Sequence, residues 1–184
     1  EGKIFLYGFN RPNLSLAVQQ KTNNWKIQLY EFLENRRNQS GIVYCLSQKL
    51  TEQCAEFLES KGFNACPFHA GLDPKIKIDT QDKFMTDENV IVCATIAFGM
   101  GIDKADVRFV AHISLPGSME AFYQEIGRAG RDGLESDTLL IFGLQDLFQR
   151  KRFIDMSDAD DSFKIKEHKR LDSLMAYCDS ATCR

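Results

Sequence analysis

At 184 residues, with 43% hydrophobic and 27% charged residues, the chain has room for one globular domain and the start of a second. That balance excludes a disordered segment, and no apolar run reaches the roughly 20 residues of a membrane-spanning helix. The net charge of −3 weighs against a broad attraction to nucleic acid, leaving that task to local patches.

Taken in chain order, residues 4–9 predict a short strand broken by Arg11-Pro12-Asn13. A helix is expected at about 22–38, with Trp25, Leu29, Phe32 and Leu33 on one face. The apolar run at 42–46 reads as a buried parallel strand. Leu50, Cys54, Phe57 and Leu58 then predict a helix over 48–61, stopped by Gly62. A strand at 64–68 precedes Asp73-Pro74, a cap and first-turn proline that open a helix running to about 86. Further strands are expected at 90–94, 107–114 and 138–142, with a helix from about Ser118 carrying Met119, Phe122, Tyr123 and Ile126. Strands alternating with helices point to a parallel sheet covered on both faces.

After about residue 144 the strand signals stop. One helix is expected around Leu147, Phe148, Ile154 and Met156, another around Ile165, Leu171, Leu174, Met175 and Cys178, with the acidic stretch 155–161 as a linker. A domain boundary is placed near 145–160. Cys45, Cys54, Cys66 and Cys93 lie among apolar residues and read as buried, reduced thiols rather than a disulfide framework. The first residues, Glu1-Gly2-Lys3-Ile4-Phe5, lack a secretory layout, so an intracellular protein is expected, cytoplasmic or nuclear.

In open parallel sheets, ligands bind beyond the carboxyl ends of the strands. Four unusual segments fall there: Ser47-Gln48-Lys49, His69-Ala70-Gly71-Leu72, the run from Thr95 to Lys104, and the run from Tyr123 to Gly133. The last carries Arg128 and Arg131, three residues apart, with Gly127, Ala129 and Gly130 clearing space around them. Helical spacing would point both guanidinium groups the same way. A planar fork of donors suits phosphate oxygens; the plainer reading is surface ion pairs, with Asp132 or Glu135 as partners.

Gly41-Ile42-Val43-Tyr44-Cys45, His69-Ala70-Gly71-Leu72, the run from Ala94 through Gly99-Met100-Gly101-Ile102-Asp103-Lys104, and Gln124-Glu125-Ile126-Gly127-Arg128-Ala129-Gly130-Arg131-Asp132-Gly133 together resemble motifs IV to VI of the RecQ-family DNA helicases. Phe9-Asn10-Arg11-Pro12-Asn13 is similar to the family's crossover into its second RecA-like domain. The resemblance implies a RecA-like α/β domain over 1–145, followed at 146–184 by a linker and the helical start of a zinc-binding module. It implies ATP-driven DNA unwinding with 3′-to-5′ polarity in repair and recombination, with single-stranded and forked DNA as partners. By the same resemblance Arg131 is the arginine finger, Arg128 its support, Gln124 a coupling residue, and Asp103 an acidic group near the nucleotide sugar. Asp103 also reads as a simple turn carboxylate.

Ser47, Lys49, His69, Gly71 and Thr95 match positions that face single-stranded DNA in the family. A hydroxyl, a cation and an open backbone N–H suit phosphate oxygens, which a motor indifferent to sequence must grip. Ser47 and Thr95 also read as helix caps, and His69 as a packed core residue. Cys183, just before Arg184, resembles the first zinc ligand of the RecQ module. Zinc needs four ligands, so the ion is expected only in a longer chain. No Gly-x-x-x-x-Gly-Lys-Ser/Thr loop is present, and Asp87-Glu88 precedes its strand rather than ending it. ATP and Mg²⁺ are therefore expected mainly on an upstream RecA-like domain in cis, and these residues alone are not expected to hydrolyse ATP. A dinucleotide-binding reading of Gly99-Met100-Gly101 fails at the third glycine, where Lys104 stands. A non-catalytic binding module on the same fold is the remaining rival.

Overall fold

The computed structural model describes residues 11–99 and 102–179. The strand expected at 4–9, Gly2-Lys3, Phe9-Asn10, Met100-Gly101 and Cys183 lie outside the described residues.

The chain runs β1 (Leu14–Gln20), α1 (Trp25–Glu34), β2 (Gly41–Tyr44), α2 (Gln48–Ser60), β3 (Asn64–Phe68), α3 (Pro74–Thr86), β4 (Val90–Ala94), β5 (Phe109–His112), α4 (Met119–Ile126), β6 (Ser136–Phe142), α5 (Leu144–Asp155) and α6 (Asp161–Asp179). The strands form one six-stranded parallel sheet in the order β1-β6-β5-β2-β4-β3. Side chains of a strand alternate between faces, and the core divides accordingly. Val43, Cys45, Ile91, Cys93, Ala111, Leu139 and Ile141 meet Leu29 and Leu33 of α1 and Cys54 and Leu58 of α2. Ile42, Tyr44, Val92, Ala94, Val110 and Leu140 meet Phe84 of α3, Phe122 and Ile126 of α4, and Leu171, Leu174 and Cys178 of α6. This is the expected α/β architecture with helices on both faces. Its central strands β2, β4 and β5 are buried along their whole length, which is why they read as unbroken apolar runs.

Local chemistry sets the helix ends. Ser47 Oγ accepts from Leu50 N–H and Ser118 Oγ from Ala121 N–H, while Asp73 Oδ1 accepts from Lys75 N–H ahead of Pro74. Gly62, at φ +81°, takes the left-handed turn that ends the α2 segment. Two expectations differ. α1 spans 25–34 rather than 22–38, because Thr22 is held in a turn by the Gln28 side chain, which accepts from its N–H and its hydroxyl. β1 has no sequence-based counterpart: Leu-Ser-Leu-Ala-Val-Gln-Gln alternates apolar and polar at the edge of the sheet and lacks the apolar run that marked the inner strands.

The acidic stretch between α5 and α6 is tied to its surroundings. Asp160 Oδ1 accepts from Phe163 N–H and the Ser162 hydroxyl, and Asp155 pairs with His168. Through Leu171, Leu174 and Cys178, α6 shares the core of the sheet.

Candidate functional site

The carboxyl ends of β2, β3, β4 and β5 open onto one rim. The first three segments singled out above begin there; the fourth starts within α4 and ends at the opposite edge, where Gly130 N–H donates to Val107 O and Asp132 N–H to Ala105 O, just ahead of β5. The arginines follow α4, where Gly127 caps the helix. Arg128 and Arg131 therefore sit in successive turns rather than on a helix, which differs from the helical spacing expected of them. Gly130 has φ +58°, and a Cβ there would lie 2.6 Å from Asn13 Nδ2 and 2.8 Å from Leu134 O. Only glycine fits this position.

Both arginines nevertheless reach one target, the loop following β4. Arg128 donates through Nη1 to Gly99 O at 2.6 Å. Arg131 donates through Nη1 to Ile102 O at 3.2 Å and to Asp103 Oδ1 at 2.6 Å. The ion pair expected of a plain surface arginine is taken by another residue, since Asp132 pairs with Arg108 at 2.5 Å. That partner, chiefly by hydrogen bonding, holds the Asp132 carboxyl below its usual range. Asp103 is a well-exposed carboxylate whose described partner is Arg131. Gln124 is exposed on α4 and, with Met119, Glu120 and Tyr123, lines a shallow depression.

Two contacts to this turn were not legible in the sequence. Arg11, read there as part of a strand break and of the crossover-like segment, donates through Nη2 to Ala129 O and Gly130 O, both at 2.9 Å. Asn13 Nδ2 donates to Gly130 O and Leu134 O, both at 3.0 Å. No local pattern announces such contacts, because they span more than a hundred residues.

Beneath the turn lies a buried polar group that the sequence reading did not assign. His112 Nε2 is 2.7 Å from Glu125 Oε2. A carboxylate can only accept, so the imidazole donates. The Tyr44 ring stacks on His112 with centroids 5.1 Å apart, and its hydroxyl donates to Phe98 O at 3.0 Å. Burial pushes the Tyr44 hydroxyl well above its ordinary range, opposed in part by the adjacent Arg128. Arg150 donates to Leu115 O, and burial lowers its pKa against the pull of Glu125 and Asp146.

The residues matched to DNA contacts follow the carboxyl ends of β2, β3 and β4. Lys49 is exposed in the first turn of α2 and Gly71 is exposed after β3. Ser47 caps α2, as the plainer reading had it. Thr95 caps no helix: its carbonyl accepts from Phe98 N–H in a turn, and its N–H donates to Phe68 O. His69 is turned inward, 3% exposed, with Nε2 3.2 Å from Glu52. That geometry matches a packed histidine, and its imidazole is not a surface contact in this conformation.

Cys45, Cys54 and Cys93 are buried free thiols, and burial raises all three pKa values. Cys66 is half-buried and Cys178 buried. No group of three or more metal-binding side chains occurs among the described residues, and none of the described helices is long and apolar enough to cross a membrane.

A family model described as the helicase conserved C-terminal domain matches residues 25–133. The ATP-dependent helicase SGS1 of Saccharomyces cerevisiae is 41% identical over 185 residues, covering 98% of this chain and 13% of that protein. The ATP-dependent DNA helicase RecQ of Haemophilus influenzae is 38% identical over 180 residues, covering 98% of this chain and 29% of that protein. The chain thus spans less than a third of either relative. Among solved structures, a DEAD box protein from Methanococcus jannaschii superposes with a TM-score of 0.63 at 24% identity, over 78% of this chain and 39% of that one. At that identity the likeness speaks for the fold, a RecA-like helicase domain.

Proposed function

The chain belongs to the helicase conserved C-terminal domain family, in its RecQ type, and on that premise we propose that it is the second motor domain of an ATP-dependent DNA helicase. In this reading residues 1–145 form the motor domain, and 146–184 lead into a zinc-binding module in which Cys183 is the first ligand. The other zinc ligands, the phosphate-binding loop and most of the ATP and Mg²⁺ contacts belong to other parts of the full-length protein, the upstream RecA-like domain in cis among them. The partners are single-stranded and forked DNA, the polarity 3′-to-5′, and the setting repair and recombination, inside the cell.

One observation carries this reading: Arg128 and Arg131 both clamp the loop that leaves the carboxyl end of β4 and returns to the start of β5. Arg131 engages Asp103 and Ile102 through Nη1 alone, so its other donors can turn to a γ-phosphate brought by the upstream domain. In phosphoryl transfer, charge spreads over the equatorial oxygens, and a fixed guanidinium lowers the cost of that charge. Mg²⁺, when bound, supplies charge neutralisation between the phosphates. Asp103 keeps Arg131 from swinging into solvent and stands beside the nucleotide, and Gln124 couples α4 to the cleft.

The strand side works by different chemistry. Ser47 Oγ accepts from Leu50 N–H, which leaves its own proton free to donate to a phosphate oxygen. Lys49 supplies a cation, Gly71 a backbone packed so closely on Gln48 that a Cβ would lie 2.6 Å from its Oε1, and Thr95 a hydroxyl on the very loop that the arginines hold. His69 supports this side from within through Glu52. The test is an ATPase assay on the full-length protein with and without single-stranded DNA. DNA-stimulated turnover that Arg131→Ala abolishes is the expected result. Turnover that survives Arg131→Ala overturns the finger assignment.

A further inference from the structure

Glu125 and His112 make a buried pair that no role assigned so far requires. Glu125 is 8% exposed and His112 1%. A pair at that depth contributes little net stability, because desolvation offsets its attraction. The apolar face of α4, Phe122 and Ile126, already anchors the helix to the core. Apolar packing is non-directional, however, and α4 has only eight residues, too few to be stable on its own. A short helix held by packing alone is free to slide and rotate on the sheet. A directional 2.7 Å hydrogen bond to the end of β5 removes that freedom.

What the pair fixes is visible in its neighbours. Glu125 stands three residues before Arg128, whose guanidinium ends on Gly99 O. His112 carries the stacked Tyr44 ring, whose hydroxyl ends on Phe98 O. The two arms thus reach adjacent carbonyls of the loop after β4, the loop that also receives Arg131. A small pocket lined by Tyr44, Cys45, His112, Ser114, Glu125 and Arg150 lies beside the pair, and His112 Nδ1 is buried without a hydrogen-bond partner among the described residues. His112 is therefore held from one nitrogen only, by Glu125.

We propose that Glu125 and His112 are positioning residues, which set the register of α4 against β5 and so place Arg128 and Arg131 on the loop after β4. The proposal rests on the reading that Arg131 completes the ATP site. Neither residue touches substrate; both act through the arginines.

The experiment compares full-length variants in single-stranded-DNA-stimulated ATPase, ATP KM, oligonucleotide Kd and melting temperature. Glu125→Ala is expected to lower kcat about 10-fold or more, with KM and Kd within about threefold, since an interaction needed for placement acts on the transition state. Glu125→Gln can still accept from His112 and is expected to restore kcat to within about threefold of the parent. The double variant Glu125→Met with His112→Phe replaces both partners by apolar groups, and so folds even if Glu125→Ala does not. Its stability is expected to match or exceed that of the parent, while its kcat falls as in Glu125→Ala. Normal turnover in a folded double variant overturns the proposal, as does Glu125→Gln being no better than Glu125→Ala. Arg131→Ala is the control. If it leaves turnover intact, the underlying reading fails; if it abolishes turnover while the double variant is unimpaired, only the positioning role fails.

Discussion

The arginine turn and the strand side are built in opposite ways. The arginine turn is held from every direction: Arg11 and Asn13 grip its carbonyls, Gly130 takes a conformation only glycine accepts, and Arg128 and Arg131 are tied to backbone oxygens. On the strand side, Lys49 and Gly71 are exposed, and Ser47 and Thr95 are used mainly by their own turns. On the proposed function, the difference follows from the two tasks. A group that stabilises charge in a transition state acts best when fixed beforehand. A group that grips a moving strand must let go at each step, so weak exposed donors serve it better.

That contrast makes ordered predictions. Arg131→Ala in the full-length enzyme should lower kcat by about 10³-fold or more, with oligonucleotide affinity near normal; a comparable loss of affinity would dissolve the distinction between the two sides. Gly130→Ala forces an L side chain into φ +58° against Asn13 and Leu134. It should destabilise by about 1–3 kcal/mol, seen as a lower melting temperature together with a fall in turnover. An unchanged melting temperature would mean the turn is not rigid. Ser47→Ala should cost about 1 kcal/mol through the lost helix cap, whereas Ser47→Gly should cost only a few tenths. Weaker DNA binding in Ser47→Gly would therefore isolate the phosphate contact from the cap. Lys49→Ala should leave stability alone and reduce the slope of log Kd against log salt by about one unit. A salt titration with no change in slope removes Lys49 from the strand side.

Much of the fold was legible because inner parallel strands announce themselves as apolar runs, and because Asp73-Pro74 and Gly62 fix helix limits by local chemistry. β1 was not, since an edge strand exposed on one side alternates like many loops do. The arginine turn was legible as composition but not as geometry. Arg131 and Asp103 are 28 residues apart, and His112 and Glu125 belong to a strand and a helix whose meeting depends on the whole sheet. Sequence marked the chemistry that would touch a ligand and left unmarked the groups that hold that chemistry in place.

The pairing of β1 with β6 also bears on how the protein comes into being. Ser15 and Asp137, hydrogen-bonded across that pair at 2.7 Å, are separated by 122 positions. Closing so large a loop carries an entropic cost and slows folding. During synthesis, the first described strand waits without its neighbour until the last strand of the sheet, β6, has left the ribosome. Arg11 and Asn13, which flank that early strand, can clamp the arginine turn only then. The arginine turn thus waits for the last strand of the sheet, and a chain cut short before residue 142 would lack its clamp.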